Sequence, residues 1–193
     1  AYEQARKDHP EDRVIPNGLA GVLVELEEWD EAIRLASNSP RQTRSDWIAE
    51  HIHGMILLRR EQYGQAVEIF QRGVRECPGR EQRSYFLSAL AMAQLHQEKY
   101  EEVQELINEI DTPALKEPVQ SLRVQLAGMQ GDFPGAAKHW QTLQTPRTPI
   151  ARELFADLKV RYVDRQPCDT SLDQLFQKQI RFQMEAIQSQ TAL

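Results

Sequence analysis

The fold is decided by residues 47–78, which read WIAEHIHGMILLRREQYGQAVEIFQRGVRECP. Apolar and small residues recur at helical spacing in the first half, and from Ala66 to Val74 they recur at i, i+3 and i+4. This pattern predicts two helices that each bury one face. Because Pro78 cannot continue the second helix, we expect a unit made of a helix, a short turn, a second helix and a stop.

The same local pattern occurs four times along the chain. In each copy an aromatic residue is followed three residues later by a small residue or Val, and the four aromatics are Trp29, Tyr63, Tyr100 and Phe133. They are 34, 37 and 33 residues apart. A period of this length is typical of stacked helical hairpins, because one hairpin cannot bury its apolar face alone. Small residues such as Gly54 are expected to let the backbones of paired helices approach each other.

The second unit places Gly54 in its first helix and Tyr63 at the start of its second helix, followed by Ala66, Phe70 and a closing Pro78. This order resembles the tetratricopeptide repeat, a 34-residue helical hairpin with the same residue types in the same register. The other units match in part, and the Trp that the family has early in its first helix is absent from all of them. The resemblance implies an all-α fold, a right-handed superhelical stack of antiparallel helix hairpins.

The repeat register divides the chain into three segments. Residues 1–12 align with the second helix of an earlier repeat, because Pro10 lies two 34-residue periods before Pro78, so we expect the chain to belong to a longer array. Residues 149–193 keep a helical period without the small-residue pattern and are expected to cap the stack or dock a partner. Between them, residues 13–148 are expected to hold four repeats, at about 13–46, 47–79, 84–115 and 117–148.

The last predicted helix, within residues 171–190, is amphipathic and has a Gln-rich outer face. Its periodic positions hold Leu172, Leu175, Phe176, Gln179, Ile180, Gln183 and Ile187. Formation of an oligomer through this helix is a further possibility.

Composition excludes several classes of protein. The net charge is -6, whereas a protein that grips phosphate backbones normally carries a basic excess, so we expect no nucleic-acid partner. No apolar run approaches the ~20 residues that cross a bilayer. Cys77 and Cys168 lack the spacing of a zinc site. As unpaired thiols they favour a reducing, cytoplasmic compartment, while a periplasmic one stays open because the two could pair.

Motifs that carry chemistry are absent from the sequence. It has no glycine-rich phosphate loop, no GxSxG elbow, no HExxH and no EF-hand loop. His51 and His53 resemble a metal motif, but residues two apart on a helix point about 200° from each other and cannot share one ion. We therefore predict no enzyme activity, no cofactor and no metal site.

The resemblance also implies where a ligand would lie, because the first helix of each hairpin lines the concave groove of a tetratricopeptide stack. Met55 and Met92 would make this groove adaptable and apolar, since a thioether side chain fits irregular partners. An extended or helical segment with apolar anchors would suit such a groove. Aligned by register, the predicted partner contacts are Asn17, His51, Met55, Arg59, Ser88, Met92, His96, Ser121 and Gln125.

These observations favour a non-catalytic scaffold that binds another protein or a peptide segment in the groove. The alternative is a regulatory repeat domain of a larger enzyme or transcription regulator, which would sense a peptide or a small ligand there. Two other surfaces stay open as partner sites. One is the acidic stretch around Glu101 and Glu105, and the other is the last helix around Phe176 and Ile187.

Overall fold

The computed structural model describes Glu31, Arg34 and residues 44–191. Every regular element in residues 44–191 is helical and none is a strand, which confirms the all-α class for this part of the chain. The predicted segment 1–12 lies outside the described residues, as do Asn17 and almost all of the predicted first repeat. None of the helices in the described range is long and apolar enough to cross a membrane.

Eight α-helices follow one another between residues 44 and 191, with one short 3-10 helix and one π-helical turn among them. The 3-10 helix spans Pro113–Leu115 and the π-helical turn spans Lys159–Val163. The α-helices are α1 Arg44–Arg59, α2 Tyr63–Glu76, α3 Arg80–His96, α4 Tyr100–Glu109, α5 Lys116–Met129, α6 Phe133–Gln141, α7 Pro149–Leu158 and α8 Leu172–Thr191.

Three turns between consecutive helices share one backbone design. Glu61, Glu98 and Gly131 adopt positive φ angles of 61°, 59° and 80°, and each lies two residues before the aromatic residue that opens the next helix. The amide of the residue after each of them donates to a carbonyl five residues earlier, at 2.9, 3.0 and 2.8 Å. This is the Schellman motif, in which carbonyl groups at the helix end that lack an intrahelical partner accept hydrogen bonds from amides of the turn. The turns that precede these aromatic residues therefore share one backbone conformation, so the repeat seen in the sequence is also present in the backbone.

The chain separates into two compact units, Ala1–Phe86 and Leu87–Leu193. In the first unit α1 packs against α2. A Cβ added to Gly54 would lie 2.3 Å from Cε1 of Phe70, and one added to Gly73 would lie 2.2 Å from Cδ1 of Phe86. The space beside these glycines is thus filled by an aromatic ring, whereas the sequence led us to expect a neighbouring backbone.

The second unit is built around α5, α6, α7 and α8. Its apolar core joins side chains from all four helices and from the π-helical turn, where Tyr162 is buried. The Tyr162 ring occupies the space beside Gly128, since a Cβ there would lie 2.2 Å from its Cδ1 atom. In both units, therefore, an aromatic ring from another segment packs against a glycine of a helix.

Candidate functional site

The candidate site is one face of α3 and α5, which we call the covered face and define by Ser88, Met92, His96, Ser121 and Gln125. The sequence predicted all five as groove residues. The structure places them on α5 and on the part of α3 after Phe86, which both belong to the second unit, and α8 lies against both helices.

Two serines of the covered face meet two glutamines of α8. The Ser88 hydroxyl donates to Oε1 of Gln183 at 2.6 Å. Oγ of Ser121 lies 2.9 Å from Oε1 of Gln179 and 2.8 Å from the carbonyl oxygen of Pro118. Because a hydroxyl has one proton, Ser121 donates to one of these acceptors at a time.

Burial raises the energetic importance of these pairs. The side chains of Ser88, Ser121, Gln179 and Gln183 are all at 0% exposure. A buried amide or hydroxyl is costly unless it is hydrogen-bonded, so each pair stabilises only the placement of α8 that keeps both partners together. Residues four apart lie on the same side of a helix, which lets one helix turn of α8 reach both α3 and α5.

Apolar and ionic contacts hold the first half of α8. The rings of His96 and Phe176 pack against each other at an interplanar angle of 51°, with their centroids 4.8 Å apart, and Nε2 of His96 lies 3.4 Å from Oδ1 of Asp173. On the side that faces α7, Lys178 donates to Asp157 at 2.6 Å. The helix thus has an aromatic anchor on the covered face and a salt bridge on its flank.

Among the buried polar atoms of these helices that have no hydrogen-bond partner are Oε1 of Gln125 on α5 and Nε2 of Gln183 on α8. One is an acceptor and the other is a donor, so the covered face and α8 each keep an unused hydrogen-bonding group. Leaving such a group unpaired costs about 1–3 kcal/mol.

The predicted contact residues of the first unit lie mostly in its core. Met55 is fully buried and His51 is 2% exposed, while Arg59 is partly exposed. The rings of Phe70 and Phe86 lie 5.9 and 5.5 Å from the His51 ring. Burial lowers the pKa of His51 to about 4, so this imidazole is neutral at physiological pH.

Six of the eight predicted contact residues that the structure describes are therefore buried, and only Arg59 and His96 reach solvent. Met92 is fully buried as well. The residues that sequence reasoning missed are Gln179 and Gln183, which it placed in the periodic set of the last helix without giving them partners. The sequence could have pointed to them, because they are two polar residues one turn apart at helix positions that are otherwise apolar.

Two observations on the described residues concern metal ligands and thiols. Between residues 44 and 191, no group of three or more His, Cys, Asp or Glu side chains is placed to hold a metal ion. Both cysteines are free thiols, and burial raises the pKa of Cys77. A buried thiol with a raised pKa is a poor nucleophile, because the thiolate is the reactive form.

Comparisons of the whole chain with known proteins found no matching family model, no matching curated protein and no matching solved structure.

Proposed function

We propose that this chain is a non-catalytic protein-interaction module of the tetratricopeptide type, a right-handed superhelical stack of antiparallel helix hairpins. Its partner is a protein that contributes a helical segment to the groove lined by the first helices of the hairpins. The repeated turns at Glu61, Glu98 and Gly131 support the stack, because they end successive first helices in the same way.

One observation carries the proposal: an amphipathic helix already lies on the predicted groove residues. α8 contacts Ser88 and Ser121 through hydrogen bonds, and it contacts His96 through a tilted ring–ring contact. The covered face therefore has the shape and the polar groups to receive a helix, which is one of the recurring modes of peptide recognition.

Site-specific photocrosslinking tests the proposal. A photoreactive residue in place of His96, which is partly exposed at the edge of the covered face, should label a partner in an extract of the source cells. The same residue in place of the exposed Glu105 is the control on the acidic face of α4. Labelling from position 96 alone supports the groove, whereas labelling of the same partner from position 105 alone would move the site to the acidic face.

A further inference from the structure

We propose that α8 is the chain's own occupant of the partner site, and that the partner is an amphipathic helix that takes the place of α8 on α3 and α5. This inference rests on the proposed function and adds the regulation of the site and the chemistry of the partner. In the closed state described above α8 blocks the covered face, and in the bound state the partner helix covers it.

The contacts of α8 define what a replacing helix must carry. It needs two hydrogen-bonding side chains one turn apart, which take the places of Gln179 and Gln183 opposite Ser121 and Ser88. It also needs an aromatic or large apolar residue one turn before them, where Phe176 packs against His96.

The flank that faces α7 adds a second requirement. The rings of Phe155 and Phe182 meet edge to face at a centroid distance of 5.4 Å, and both belong to the apolar core of the second unit. A replacing helix therefore has an apolar residue at the place of Phe182, so that the core stays covered when α8 leaves.

The unpaired polar atoms favour exchange. Because Oε1 of Gln125 and Nε2 of Gln183 have no partner, α8 binds its own face with incomplete hydrogen bonding. A partner that places a donor beside Gln125, such as an amide, a hydroxyl or a lysine ammonium, satisfies an atom that α8 leaves unpaired. The partner thereby gains a contact that the chain's own helix lacks.

The segment that joins α8 to the rest of the unit permits the movement. Residues 164–171 have exposed or partly exposed side chains and form no α-helix. The first residues of α8, from Leu172 to Gln174, are exposed as well. Release of α8 therefore begins in a largely exposed segment, in which the Thr170 carbonyl accepts a partly buried hydrogen bond from Arg161.

Cutting the connecting segment tests the exchange. A protease site is introduced between Arg165 and Thr170 of the full chain, the chain is cut, and a fluorescein-labelled peptide of residues 171–191 is added in excess. We expect the cut chain to take up the label and release its own helix. The intact chain should take up at least tenfold less, because a tethered helix competes at an effective concentration of about millimolar.

A matched peptide with Gln179→Glu and Gln183→Glu is the control. It would bury two carboxylates opposite the serines, so its uptake should fall at least tenfold. An intact chain with Gln179→Ala and Gln183→Ala provides a second route, since it weakens α8 without cutting, and it should bind the unchanged peptide more tightly than the natural chain does.

Three results would overturn the inference. The first is a cut chain that stays folded by circular dichroism and keeps its own helix against excess peptide, and the second is a cut chain that unfolds when the helix leaves. The third is exchange of α8 between two intact copies, seen as a dimer by light scattering, which would make a second copy the occupant. Partner labelling from position 96 would survive the first result, so the proposed function can stand when the exchange fails. Loss of this labelling beside successful peptide exchange would remove the proposed function, and with it the assignment of the exchanged face as a partner site.

Discussion

At the scale of single residues, glycines matter because aromatic rings fill the volume that a side chain would need. Gly54, Gly73 and Gly128 each have a ring atom within 2.3 Å of the position that a Cβ would take. The tetratricopeptide pattern identified Gly54 from the sequence. It did not identify the ring that meets Gly128, because Tyr162 lies 34 residues away in a segment without the repeat pattern, and only the fold brings the two together.

Two glycines of α2 allow a matched test of this packing. Gly73→Ala should destabilise the chain by about 1–3 kcal/mol, because the new Cβ would lie 2.2 Å from the fully buried Phe86 ring and overpacking outweighs the gain in helix propensity. Gly64→Ala, with no atom within 4 Å of the new Cβ, should stabilise by a few tenths to about 1 kcal/mol. Urea unfolding of both variants measures the difference, and equal midpoints would contradict the packing.

His51 should make the stability of the chain depend on pH. Its pKa is about 4 when folded and about 6.5 when unfolded, so the unfolded state binds the extra proton between these values. Stability should therefore fall as the pH is lowered from about 6.5 to 4, by about 3 kcal/mol over the whole window.

A comparison with His51→Leu isolates this contribution. The carboxylates titrate in both chains, so the difference between their free energies of unfolding, measured in urea from pH 7 to pH 4, reports His51 alone. The natural chain should lose more stability than the variant on acidification. Parallel curves would show that the ring is not buried as a neutral imidazole.

At the scale of the elements, the repeated turn is the feature that periodicity predicts best. The spacing of Tyr63, Tyr100 and Phe133 already indicated where helices begin, and α2, α4 and α6 begin at these residues. The π-helical turn at Lys159–Val163 was not predicted. It depends on burying Tyr162 against Gly128, a long-range contact that no local pattern encodes.

The same turns yield a test of backbone strain. Glu61 and Glu98 adopt a left-handed conformation that favours glycine. Glu61→Gly and Glu98→Gly should each stabilise by a few tenths to about 1 kcal/mol, since relief of strain exceeds the entropy that glycine adds to the unfolded chain. Gly131→Ala, at a φ of 80°, should destabilise by about 1 kcal/mol. Thermal unfolding checks all three, and the turn assignment fails if the glycine variants melt lower than the natural chain.

At the scale of the whole molecule, the placement of α8 is what sequence reasoning could not supply. The periodic set predicted the helix and its buried side except at Leu172, which is exposed, and it included Gln179 and Gln183. It could not show that this side lies on the predicted groove, because the pairs Ser88–Gln183 and Ser121–Gln179 join positions 95 and 58 residues apart. The sequence thus assigned the predicted contacts Ser88 and Ser121 to helices, whereas it did not reveal that α8 covers them.

The Ser88–Gln183 pair should show the difference between breaking a buried hydrogen bond and replacing both of its partners. Ser88→Ala alone leaves the buried Gln183 amide without its donor and should cost about 1–2 kcal/mol. Ser88→Ala combined with Gln183→Leu removes both polar groups, including the unpaired Nε2 atom, and should be neutral or stabilising by about 1 kcal/mol. Guanidinium unfolding of both variants decides this, and a double variant less stable than the single one would contradict it.

The paired serines and glutamines also determine where any helix on the covered face lies along its own axis. If α8 slid by one turn in one direction, Gln183 would face Ser121 and Ile187 would face Ser88. A slide in the other direction would bring Leu175 opposite Ser121 and Gln179 opposite Ser88. Each slip replaces one of the two hydroxyl–amide hydrogen bonds by contact with an aliphatic side chain, so helices of similar hydrophobicity but shifted pattern are rejected by polarity rather than by shape.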